Sequence, residues 1–84
     1  MLSEITFVLH DKTAIKGIIA RNVGLKIKTI RKIYKVSGLN LAEFIGISQQ
    51  QLSKYENGRS DIPISKIMLI AFYFSVDVNY FFTK

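Results

Sequence analysis

From residue 23 onward the apolar positions recur at helical spacing. Val23, Ile27, Ile30 and Tyr34 follow at steps of three and four, which predicts a helix over residues 23–36 with one buried face. Asn22-Val23-Gly24 punctuates the chain just at its start. Ser37 is a natural N-cap for a second helix over residues 38–45, with Leu41, Ala42 and Ile45 inward. Gly46 can take the left-handed conformation that ends it. Ser48 caps a third helix, with Gln51 at the capping-box position and Leu52 and Tyr55 inward. Asn57-Gly58 stops that helix, and Pro63 pre-sets the first turn of a fourth. Ile67, Ile70, Ala71 and Phe74 line the inner face of the fourth, and Asp77 caps a final short helix through Phe82. Residues 1–20 are less regular. Ile5-Thr6-Phe7-Val8-Leu9 fits a short strand or a helix, and Ile15, Ile18 and Ile19 suggest a turn or two of helix after Asp11.

The predicted organisation is therefore all-α: one helix-turn-helix domain over residues 21–84, preceded by an N-terminal extension over residues 1–20. That extension can form a strand or an extra helix and can take part in a dimer. A chain of 84 residues has room for one modest core. Residues 38–57 carry the most information. Two short helices that cross steeply need a small residue at their contact, a residue tolerant of positive φ in the turn, and a branched apolar anchor beyond it. Ala42, Gly46 and Leu52 meet these needs, and Leu41, Ile45, Ile47 and Tyr55 fill the other inward positions.

Four stretches carry a family likeness. They are Val23-Gly24-x-x-Ile27-x-x-Ile30-Arg31-Lys32, Leu41-Ala42-Glu43-x-Ile45-Gly46-Ile47-Ser48, Ser53-Lys54-Tyr55-Glu56-Asn57-Gly58 and Val76-Asp77-Val78-Asn79-Tyr80-Phe81-Phe82. With these, residues 23–82 resemble the lambda-repressor-like, Xre/Cro-type helix-turn-helix family. The resemblance implies a compact five-helix bundle and a bacterial, cytoplasmic, nucleoid-associated regulator of transcription. The nine residues from Ser48 to Glu56 are similar to a narrower subset, regulators encoded with enterobacterial fimbrial operons that repress motility.

Composition narrows the classes further. Apolar residues make up 49% of the chain, too many for a disordered one. The absence of cysteine excludes disulfides and thiolate metal sites. The apolar run over residues 67–76 falls far short of the ~20 residues a membrane helix needs. The first four residues lack the basic start of a secretory signal. The net charge is +6 and unevenly placed. Residues 1–36 hold eight Lys and Arg against Glu4 and Asp11, whereas residues 37–84 hold four of each sign. Such an excess is either a solvated face or an attraction to a polyanion such as DNA.

For the third helix the outward positions are polar. Gln49, Gln50, Gln51 and Ser53 are the candidate base readers, since glutamine can pair with the N6 and N7 edge of adenine in the major groove. Ser37, Ser48, Lys54, Asn57 and Arg59 stand at or near positions that touch phosphate in the family, and the starts of the second and third helices add backbone N–H groups. Gly38 stands where the family usually has glutamine, and Asp61 and Ile62 lie where it often has basic residues. Lys26, Lys28 and Lys32 of the first helix can compensate. Family likeness also implies a structural ion pair between Arg31 and Glu56.

Leu69, Phe72 and Tyr73 make the fourth helix apolar on a second face, with Leu25 and Ile33 apolar on the first. A second subunit would cover this patch and give a homodimer; the chain's own residues 1–20 are the alternative cover. His10 has no partner at metal spacing, and Ser37, Ser48 and Ser53 have no base at a motif spacing. No catalytic residue, metal site, cofactor or small-molecule ligand is expected, and double-stranded DNA is the expected partner. The alternatives are an antitoxin or phage-type repressor, or a protein-interaction module that kept the fold without binding DNA.

Overall fold

The computed structural model describes residues 12–83. Along them run α1 (Lys12–Ile33), α2 (Gly38–Ile45), α3 (Gln49–Glu56), α4 (Ile64–Phe74) and a closing 3-10 helix (Val78–Phe82). No strand occurs among the described residues. In place of the expected five-helix bundle, the described residues form four α-helices and one tighter turn. The last segment has only five residues between the Asp77 cap, whose Oδ1 accepts from the Asn79 N–H at 2.8 Å, and Thr83. A segment that short is readily closed by i→i+3 bonds. It still delivers Phe81 to the centre of the core.

α1 is 22 residues long and begins well before the predicted start at residue 23. Ile15, Ile18 and Ile19 belong to it, and residues 20 and 21 fall inside one continuous helix. Asn22-Val23-Gly24 does not break it. Gly24 is buried within the helix, and a Cβ there would run into the Tyr55 carbonyl oxygen and come within 2.8 Å of that of Glu56. The glycine marks the place where α1 lies against the end of α3. The stretch Ile5 to Leu9 lies outside the described residues.

All four α-helices end alike. A residue with left-handed backbone follows the last turn, and the next N–H donates back to a carbonyl five residues earlier. Gly46 (φ 76°) and Gly58 (φ 70°) end α2 and α3, with Ile47 donating to Ala42 and Arg59 to Lys54. Lys35 (φ 56°) and Ser75 (φ 55°) end α1 and α4, with Val36 donating to Arg31 and Val76 to Ala71. Because α1 stops at Ile33, Tyr34 does not join the buried face as predicted. It is 59% exposed and rests its ring 5.5 Å from that of Phe74.

The core is continuous. Val23, Ile27 and Ile30 of α1 join Leu41, Ala42 and Ile45 of α2, Leu52 of α3, and Ile67, Ile70, Ala71 and Phe74 of α4 around Phe81. Burying a side chain of Leu, Ile or Phe size contributes about 1.5–3 kcal/mol. α3 gives the core only Leu52 and Tyr55, so its orientation depends on other ties. Among the described residues no helix is long and apolar enough to cross a membrane.

Candidate nucleic-acid interface

α3 starts where Ser48, in extended backbone, accepts the Gln51 N–H on its hydroxyl at 3.0 Å. Ser37 caps α2 in the same way, accepting from Asn40 at 3.0 Å. Each cap satisfies one N–H that the first helical turn leaves open. With Leu52, Tyr55 and Glu56 facing in, Gln49, Gln50, Ser53 and Lys54 are exposed and Gln51 is half-buried at the flank. The three glutamines therefore differ: Gln49 and Gln50 are exposed and Gln51 is partly taken up by the protein.

Two ties hold α3 at its angle. Arg31 of α1 reaches across to Glu56, donating from Nε to Oε2 at 2.7 Å and from Nη2 to Oε1 at 2.9 Å. Its remaining Nη1 donates to the Val36 carbonyl at 3.1 Å, which fixes the α1–α2 turn to the same guanidinium. The hydrogen bond to Glu56 raises the Arg31 pKa above its ordinary value, and the opposite charge adds to this against the cost of burial. Gly24 provides the second tie by letting α1 approach the α3 backbone. Lys66 of α4 secures the neighbouring helix, donating from Nζ to the Ile45 carbonyl at 2.7 Å and so holding the last turn of α2 beside Gly46.

Among the residues named for phosphate, Ser37, Ser48, Lys54, Asn57 and Arg59 are all exposed. Ser37 and Ser48 also serve as caps, and Asn57 donates from Nδ2 to Ser53 Oγ at 3.3 Å. Asp61 faces Lys16 at 3.2 Å, so its charge is offset within the protein. The three lysines of α1 separate. Lys26 places its ammonium 4.8 Å from the centre of the Tyr80 ring, while Lys28 and Lys32 line a cleft shared with Gly38, Gln49 and Ser53. On α4, Leu69 and Phe72 are exposed, but Tyr73 is half-buried with its ring 4.8 Å from Phe44 and 4.9 Å from Phe74.

Sequence reasoning took Gly24 for punctuation and gave no role to Lys66. The Gly24 signal was readable, because the glycine keeps step with Ile27 and Arg31 on the face that meets α3. Nothing in the sequence marks Lys66, whose partner is a carbonyl 21 residues away.

A family model for the helix-turn-helix matches residues 27–81, which takes in α2, the turn and α3 together with most of the scaffold. The chain belongs to this helix-turn-helix family. It is 39% identical over 54 residues to the antitoxin PezA of Streptococcus pneumoniae, a match covering 64% of this chain and 34% of that protein. It is 37% identical over 62 residues to an uncharacterized transcriptional regulator in the ATPase CF(0) region of Rhodospirillum rubrum, covering 74% and 57%. It is 37% identical over 60 residues to an uncharacterized HTH-type transcriptional regulator of Rickettsia conorii, covering 71% and 48%. In each case the helix-turn-helix match accounts for less than two thirds of the relative's own length.

Proposed function

We propose that this chain is a sequence-specific DNA-binding regulator of transcription and not an enzyme. In this reading the first turn of α3 enters the major groove. Gln49, Gln50 and Ser53, with Gln51 at the flank, meet base edges, while Ser37, Ser48, Lys54, Asn57 and Arg59 meet the backbone. One observation carries it: α3 turns a polar face outward while Glu56, on its other face, is held by a bidentate pair to Arg31. A helix that must read bases has to be held rigidly at one angle, and an exposed row of amides has no packing role. The regulators among the relatives support the same reading.

Selection of bound sites from random-sequence DNA is the test, followed by affinities of variants on the selected site. Gln50→Ala should cost ~1–3 kcal/mol and relax the preference at one base pair, whereas Lys54→Ala should weaken all sequences alike. Equal loss on every sequence for Gln50→Ala would remove direct reading by that residue. Failure to enrich any sequence would remove the regulator reading.

Two finer readings rest on narrower support. The exposed Leu69 and Phe72 favour a two-fold dimer, which would set two copies of α3 on half-sites ~34–36 Å apart. Similarity over residues 48–56 favours control of fimbrial and motility genes, checked by swimming motility on expression of the chain. The antitoxin among the relatives favours a second function, neutralising a toxin through the same apolar face. A neighbouring toxin gene whose product the chain binds would separate the two.

A further inference from the structure

The cleft that Lys28 and Lys32 line lies between α1 and the first turns of α3, beside the start of α2, and has a volume of about 240 Å³. That is several times the roughly 30 Å³ one water takes in the liquid, so a tetrahedral oxyanion fits with its hydration. Its walls supply donors. Lys28 and Lys32 stand one helical turn apart on the same face of α1 and carry three N–H donors each. Ser53 also lines the cleft, and its Oγ accepts from Asn57 Nδ2 at 3.3 Å, which leaves the hydroxyl proton to be donated elsewhere. Gln49 leans over the start of α2. A Cβ on Gly38 would sit 3.4 Å from its Nε2, an ordinary contact distance, so the glutamine amide lies directly beside position 38.

The charge in the cleft belongs to the two lysines. Arg31 and Glu56 also line it, but their opposite charges offset each other in the bidentate pair, and the third Arg31 nitrogen donates to the Val36 carbonyl. Lys26 is directed away, over the Tyr80 ring, and lines a different cavity with Ile18 and Leu25. Two like charges four residues apart on a helix repel, and a bound anion between them relieves that repulsion.

We propose that this cleft binds one phosphate of the DNA backbone, held by Lys28 and Lys32 with Gln49 and Ser53 at its edge. The contact would seat α3 in the groove and take the part that a side chain at position 38 cannot play. This rests on the DNA-binding reading above.

The test measures binding of the whole chain to a fluorescent duplex selected from random DNA, and to a scrambled duplex, across a range of salt. Lys28→Gln and Lys32→Gln should each weaken both duplexes by the same factor, and the double variant should reduce the salt slope by about one, the value for one neutralised phosphate. Lys26→Gln should leave the slope unchanged. Replacing single phosphates by uncharged methylphosphonates should then reveal one position that weakens the unsubstituted protein but not the double variant. If the protein binds both duplexes and the double variant keeps its full salt slope, the cleft is not a phosphate site and the regulator reading survives. If the protein shows no salt-dependent binding to either duplex, both readings fall together.

Discussion

α3 and α4 share one core yet present opposite chemistry to solvent. The eight residues of α3 turn glutamine, serine and lysine outward; the eleven of α4 turn out Ile64, Met68, Leu69 and Phe72. Their fastening differs as well. α4 is held by four buried apolar or small residues, and its one polar tie, from Lys66 to the Ile45 carbonyl, runs to α2. α3 buries two apolar side chains and relies on the Arg31–Glu56 pair and the space at Gly24. A helix that must keep its outer face free for a polar partner cannot be anchored by apolar residues on that side. A polar bolt behind it substitutes for the missing grease, and the apolar face of α4 is left as the surface where a protein partner would gain most.

Glu56→Ala should give the largest effect, because it strands the Arg31 guanidinium in a place where little water reaches. Breaking such a pair costs about 3–5 kcal/mol, read as a lower urea midpoint. DNA affinity should fall further than stability alone accounts for, since the tie fixes the angle of α3. Unchanged unfolding would show that α3 is held by packing as α4 is, and the contrast between the two helices would vanish.

Gly24→Ala comes next. The added methyl meets backbone carbonyls of Tyr55 and Glu56, which cannot rotate out of its way, so α1 and α3 must separate. Overpacking of this kind costs about 1–3 kcal/mol. A stability loss under 0.5 kcal/mol would mean that α1 gives way without disturbing α3.

How much of this was legible follows the range of each interaction. The inward faces of α2, α3 and α4 were read from local spacing, and every residue assigned to them is buried. The two glycines that end α2 and α3 announced themselves. Lys35 and Ser75 take the same left-handed backbone, but neither residue type signals it, and so the end of α1 and the place of Tyr34 were misread. At the interface, outward glutamines could be named from helical periodicity. The sorting of the α1 lysines could not, because it depends on Tyr80 lying under Lys26 and on Gly38 leaving room beside Lys28, contacts made only once the chain is folded.

The smallest change in stability should come from Phe72→Glu, and it is the sharpest probe of α4. Phe72 is 75% exposed, so its replacement should move stability by no more than about 0.5 kcal/mol. If the apolar face is where a second copy docks, light scattering should show the parent chain as a dimer and the variant as a monomer at the same micromolar concentration. Binding to a duplex carrying one half-site should be unaffected, while binding to a duplex carrying two should lose its advantage. A parent chain that is already monomeric would leave α4 apolar for some other partner and would confine the functional surface of the bundle to α3 and the α1 lysines beside it.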